Sequence, residues 1–131
     1  MLIKSDLINK ANSAPAFIRE VVKFGHENYM TVEEFSEYFG SGAYVLETDT
    51  ILLYILSKYL NDPEEAIIQA VNYTKDNDTA ASIIDAAMGA LYGKSAFKEN
   101  WITNLSGRTR ENDDGKIFEM IVRTKGFLSG K

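Results

Sequence analysis

Residues 78–93 read DTAASIIDAAMGALYG. Hydrophobic side chains recur here at Ile83, Ile84, Ala87, Met88 and Leu91, the i, i+3/i+4, i+7 spacing of one helical face. Asp78 or Thr79 opens this helix, Leu91 or Tyr92 ends it, and Gly93 is its C′ glycine. The other positions, Ala80, Ala81, Ala86, Gly89 and Ala90, carry little or no side chain. Neighbouring backbones can therefore approach closely, and the helix is expected in the centre of a bundle rather than at its rim. Nowhere does the chain alternate apolar and polar residues over a useful length, as a half-buried strand would. The expected fold is all-α, a compact multi-helix bundle forming a single domain over residues 1–131.

Upstream of this stretch the same period continues. Ser13 is placed to cap a helix over 14–28, with Pro15 in its first turn and Phe17, Ile18, Val21, Val22 and Phe24 on one stripe. Gly25 lies where it could stop that helix early. Thr31-Val32-Glu33-Glu34 is a capping box, predicting a helix from Val32 to Phe39 with Gly40 as C′. Gly40-Ser41-Gly42 makes a turn before Ala43 and Tyr44. A third helix is expected from Glu47 or Thr48 to Leu60, its core side carrying Ile51, Leu52, Ile55, Leu56 and Tyr59. Asn61-Asp62-Pro63-Glu64-Glu65 restarts the chain as a helix, with a cap, a first-turn proline and acids against the dipole. This fourth helix carries Ala66, Ile67, Ala70 and Val71 and runs out near Tyr73. Downstream, Ser95 is expected to cap a short helix with Phe97, Trp101, Ile102 and Leu105. A polar loop follows, and Asp113-Asp114-Gly115 starts a last helix, to about Lys125, burying Ile117, Phe118, Ile121 and Val122.

Composition narrows the function. The chain has 131 residues, 19 acidic against 14 basic, for a net charge of −5. Phosphate binding is dominated by Lys and Arg, so nucleic acid and anionic membrane are not expected partners. The only basic cluster, Arg108 and Arg110, faces Glu111, Asp113 and Asp114. There is no cysteine, which excludes a disulfide framework, a zinc ribbon and a thiol nucleophile. The longest apolar run, Ile51 to Leu56, falls far short of the roughly 20 residues of a membrane span. Lys4, Asp6 and Lys10 interrupt any apolar core near the start, so no signal peptide is read and the expected setting is cytoplasmic.

The chemistry-bearing feature is Asp76-Asn77-Asp78-Thr79. In a loop turning into a helix, the oxygens of Asp76 and Asp78 can converge and the Thr79 hydroxyl can join them. Such hard oxygen donors suit Mg²⁺, Mn²⁺ or Ca²⁺ and not zinc. The competing reading is helix capping by Asp76 or Asp78. His26, the single histidine, reads as a surface or capping group, Trp101 with Phe97 as core packing, and Asp49 as an N-cap or first-turn acid.

In order, the chain carries GSGAYVLET from Gly40, DPEEAIIQAVN, KDNDTAASIIDAAMGALYGKSAF and WITNLSGR. Over residues 37–123 this resembles the carboxy-terminal part of the ADP-ribosylglycohydrolase family, which includes dinitrogenase-reductase-activating glycohydrolases and ADP-ribosyl-acceptor hydrolases. The resemblance implies an all-α fold holding two divalent ions, Mg²⁺ or Mn²⁺. It implies metal ligation by Asp76, Asp78 and Thr79, and a substrate-binding turn at Ser41, Gly42 and Tyr44, where Tyr44 would stack on a ring and Ser41 hydrogen-bond. The alternative at this turn is a helix C-cap followed by a core tyrosine. Where the family often has two glycines before the first aspartate, this chain has Thr74 and Lys75; Lys75 is expected to face solvent. The family's T-D-D motif is missing, and Thr48-Asp49-Thr50 follows the GSG turn, where that motif does not lie.

Two functions follow from the resemblance. One is the metal-binding part of a hydrolase that removes ADP-ribose from a protein side chain or a small ADP-ribosyl compound. The other is a catalytically incomplete helical module that dimerises. A chain of about half the family's length would leave helix faces uncovered, and either a homodimer or a complementary subunit is expected to cover them.

Overall fold

The computed structural model describes residues 12–105 and 116–128, and among them there are helices and no strand. The elements are α1 (Ala14–Glu27), α2 (Val32–Phe39), α3 (Val45–Tyr59), α4 (Pro63–Tyr73) and α5 (Asn77–Tyr92). A 3₁₀ turn (Gly93–Ala96), α6 (Glu99–Leu105) and α7 (Lys116–Leu128) follow. The chain divides into two compact units, Met1–Ala96 and Phe97–Lys131.

In the first unit α3 is the hub, packing against α1, α2, α4 and α5, while α4 and α5 pair with each other. Its buried residues are Thr50, Ile51, Leu52, Tyr54 and Ile55. Tyr54 is completely enclosed and stacks on Phe35 of α2, ring centroids 4.0 Å apart. Its hydroxyl donates to the carbonyl of Met30 at 2.5 Å and to that of Gly25 at 3.3 Å. Lys58, one turn on, also donates to the Met30 carbonyl. The turn between α1 and α2 is thus tied to α3 through a single peptide oxygen. Burial pushes the Tyr54 phenol up to about 12. Tyr54 lies outside the core set expected from the spacing, which includes Tyr59 instead; its two backbone acceptors make its burial possible.

Gly25 does not stop α1, which continues to Glu27. It is buried because Phe35 and Tyr54 lie against it: a Cβ there would come within 2.7 Å of both rings. The caps stand where the sequence puts them. The Ser13 hydroxyl accepts from the Ala16 N–H, and Asp62 accepts from Glu65 N–H at 3.1 Å. Thr31 and Glu34 close a reciprocal box at 3.1 and 2.8 Å. These bonds from Thr31, backbone first, hold the Glu34 carboxyl below its ordinary range.

Several expectations are corrected. α3 starts at Val45, not Glu47 or Thr48, because Thr48 Oγ donates to the Gly42 carbonyl at 2.8 Å and anchors the first turn; Asp49 is then an exposed helical residue and no cap. α5 is not enclosed on all sides. Ala80, Ile84 and Met88 form its buried stripe, while Ile83 and Leu91 are exposed, as is Val71 of α4. Ser95 caps no helix; it lies in the 3₁₀ turn and its hydroxyl donates to the Tyr92 carbonyl at 2.7 Å.

In the second unit, Lys98 Nζ sits 6.0 Å from the Trp101 ring centre, and Phe97 and Trp101 are half-buried. In α7, Ile121 and Val122 are exposed, contrary to the core role read from their spacing. The loop with Arg108 and Arg110 and the pair Asp113-Asp114 lie outside the described residues, as do the side chains of Ile117 and Phe118. Among the described residues no helix is long and apolar enough to cross a membrane.

Replacing Gly25 by alanine is expected to lower stability by about 1–3 kcal/mol, the usual cost of overpacking an enclosed site. Urea unfolding of G25A and the parent chain measures this directly.

Candidate functional site

The α2–α3 and α4–α5 connections are the two segments singled out by sequence, and they are bonded to each other. Gly40 ends α2 with φ +95°, and its N–H donates to the Ser36 carbonyl at 3.0 Å. The chain then turns so that Ser41 is fully buried. Its hydroxyl accepts from the N–H of Lys75 at 2.9 Å and lies 2.5 Å from the buried hydroxyl of Ser36. Its carbonyl accepts from the N–H of Asp76 at 3.1 Å. One residue of the first turn thereby receives two successive N–H groups of the second.

Further bonds fix the second turn from its own side. The buried Thr74 hydroxyl donates to the Ala70 carbonyl at 2.7 Å, and Asn77 Nδ2 reaches the Val71 carbonyl at 3.3 Å. Asp76 takes the N-cap position of α5, and its carbonyl accepts from Ala80 N–H at 2.9 Å. Its carboxylate makes no cap hydrogen bond. Asp76 is thus the N-cap residue by position, as the capping reading has it, but its side chain does not bond the helix end. Asp76 is half-buried; Asp78 and Thr79, in the first turn of α5, are exposed, as is Lys75. Among the described residues no group of three or more His, Cys, Asp or Glu side chains is gathered for a metal.

The turn at Gly40–Tyr44 has a second support that sequence reading missed. Glu47 Oε2 accepts from Gly42 N–H at 3.1 Å. The same carboxylate lies against Gly40, where a Cβ would stand 2.6 Å from Oε2. Gly40 is thus required both by its left-handed backbone and by this contact. Its only trace in the sequence is an acid five residues after Gly42, which by position alone marks a helix start. Tyr44 is 65% exposed, so the core alternative for it does not hold. It edges, with Glu47, Thr50, Phe17 and Phe39, a cavity of about 510 Å³ between α1 and the start of α3. Of the turn's residues, Ser41 has its side chain turned inward to Ser36 and Lys75, whereas Tyr44 stands outside.

His26 is an exposed surface residue, as expected, and its Nε2 lies 2.7 Å from Ser57 Oγ. The Ser57 hydroxyl itself donates to the Tyr54 carbonyl at 2.8 Å, so the pair is a surface link.

The fold and these paired turns define an all-α protein that sets an aspartate-bearing loop beside a glycine-rich turn. The family model described as ADP-ribosylglycohydrolase matches residues 4–125, and the chain belongs to that family. No curated protein and no solved structure matches it.

Two turns beyond Asp78 on α5, Asp85 has one carboxylate oxygen buried with no hydrogen-bond partner among the described residues. Burial pushes its carboxyl above the ordinary aspartate range. The folded chain therefore binds this proton more readily than the unfolded chain, and ionisation of Asp85 opposes folding once pH exceeds both titrations. Asp85→Asn is expected to raise the urea midpoint at pH 7. The gain should vanish below the ordinary aspartate range, about pH 4, which parallel titrations at the two pH values would reveal.

Proposed function

We propose that this chain is the metal-binding part of a hydrolase that releases ADP-ribose from a protein side chain or a small ADP-ribosyl compound. Family membership supports the reaction class. The observation that carries the metal reading is the Asp76 carboxylate, placed at a helix start without capping it.

The donor set fits a hard divalent ion. Mg²⁺ keeps several waters and is commonly held through one or two carboxylates, so Asp76, Asp78 and the Thr79 hydroxyl would supply part of its shell. The positive end of the α5 dipole works against a cation there, but it amounts to roughly half a charge against two carboxylates. When bound, Mg²⁺ or Mn²⁺ would orient ribose hydroxyls and water and acidify that water. The family's two-ion site would need further acids that the described residues do not gather here.

On the substrate side, exposed Tyr44 would offer a ring for stacking, and Gly42 would serve the turn through its N–H bond to Glu47. Ser41, bonded inward, contributes by holding that turn in place. Cleavage of a ribosyl bond proceeds through an oxocarbenium-like state, and the loop's part would be to hold the ion that orients the ribose. A cytoplasmic setting agrees with the lack of cysteine.

A second reading rests on the exposed apolar side chains Val71, Ile83 and Leu91. Under it the chain is a catalytically incomplete helical module that associates with a second copy or a complementary subunit and binds no metal at the aspartate loop.

Calorimetric titration with MnCl₂ separates the two. The parent chain is expected to bind Mn²⁺ at millimolar concentration or below, and D76N and D78N to lose that binding while circular dichroism stays helical. No binding heat from a folded parent chain at millimolar Mn²⁺ would remove the hydrolase reading and leave the module.

A further inference from the structure

We infer that Ser36, buried in α2 and distant in sequence from the aspartates, is a positioning residue for the Asp76–Asp78 loop, acting through Ser41. The inference rests on the metal reading above for its functional consequence, but its structural basis is independent of any ligand. Ser36 holds the glycine turn twice. Its carbonyl accepts the N–H of Gly40, and its hydroxyl meets the hydroxyl of Ser41 at 2.5 Å. Ser41 in turn accepts Lys75 N–H on its hydroxyl and Asp76 N–H on its carbonyl. The path from α2 to the first aspartate is therefore Ser36, Ser41, Asp76, with both serines buried.

Water does not replace a lost partner readily at such an enclosed site. Without the Ser36 hydroxyl, Ser41 Oγ keeps its acceptor role but has no fixed rotamer in which to perform it. The N–H of Lys75 then loses its aligned acceptor, and the backbone leading into Asp76 loosens. The Asp76 carboxylate, which no cap bond restrains, takes its orientation from that backbone. Residues that orient metal ligands typically change affinity by 10–100-fold when removed.

The test uses the full chain as the parent, S36A and S41A, and two measurements. The first is amide hydrogen exchange by NMR. In S36A, Lys75 and Asp76 amides should exchange at least about 10-fold faster than in the parent, while α3 amides from Ile51 to Ile55 keep their protection; S41A should show the same pattern more strongly. Unchanged exchange at Lys75 and Asp76 overturns the inference, as does a uniform acceleration that includes α3. The second is Mn²⁺ titration, in which S36A should bind about 10-fold more weakly than the parent. Parent-like Mn²⁺ affinity in an S36A chain with loosened amides overturns the positioning role. A parent chain that binds no Mn²⁺ sinks the metal reading instead, and amide exchange still decides whether Ser36 holds the loop.

Discussion

Ser41 receives two consecutive backbone N–H groups from a turn more than thirty residues away, one on its hydroxyl and one on its carbonyl. This joint ties the α2–α3 connection to the α4–α5 connection. Four helix ends converge there: the last residues of α2 and α4 and the first of α3 and α5. Each end carries backbone groups that its own helix cannot satisfy. The joint satisfies the Asp76 N–H across the gap, Thr74 takes up the Ala70 carbonyl, and Glu47 and Thr48 hold Gly42 in the turn between helices. A polar cluster of this kind is stable only when nearly complete. This accounts for the burial of small hydroxyl residues where an apolar core would otherwise close.

Most helices were legible because their caps and periods agree. Ser13, the Thr31–Glu34 box and Asp62 all act as their positions predict. The misreadings share a cause. Burial of Tyr54 and the role of Gly25 depend on each other across three helices, and helical spacing carries no information about partners. In the same way, the spacing of Ile83 and Leu91 marks an apolar face but does not say whether anything in this chain covers it.

The candidate site was half legible. Asp76, Asp78 and Thr79 stood out by residue type and spacing, and the Gly40–Tyr44 turn by its glycines. That the two segments touch was not readable, because the contact runs through backbone N–H groups, which every residue but proline carries. Glu47 was hidden for a related reason: an acid in the first turn of a helix is so common a dipole partner that its side task, gripping Gly42, leaves no trace in composition. The exposure of Tyr44 and the uncapped Asp76 carboxylate are facts of tertiary structure alone.

The joint at Ser41 also orders events in time. Local helices can form early, but an attachment spanning so much chain must wait until α3 and α4 have docked, since loop closure is costly and is recovered only by later contacts. A nascent or partly collapsed chain would thus own its helices without owning its loop geometry. Whatever this loop grips, only a finished molecule can grip it.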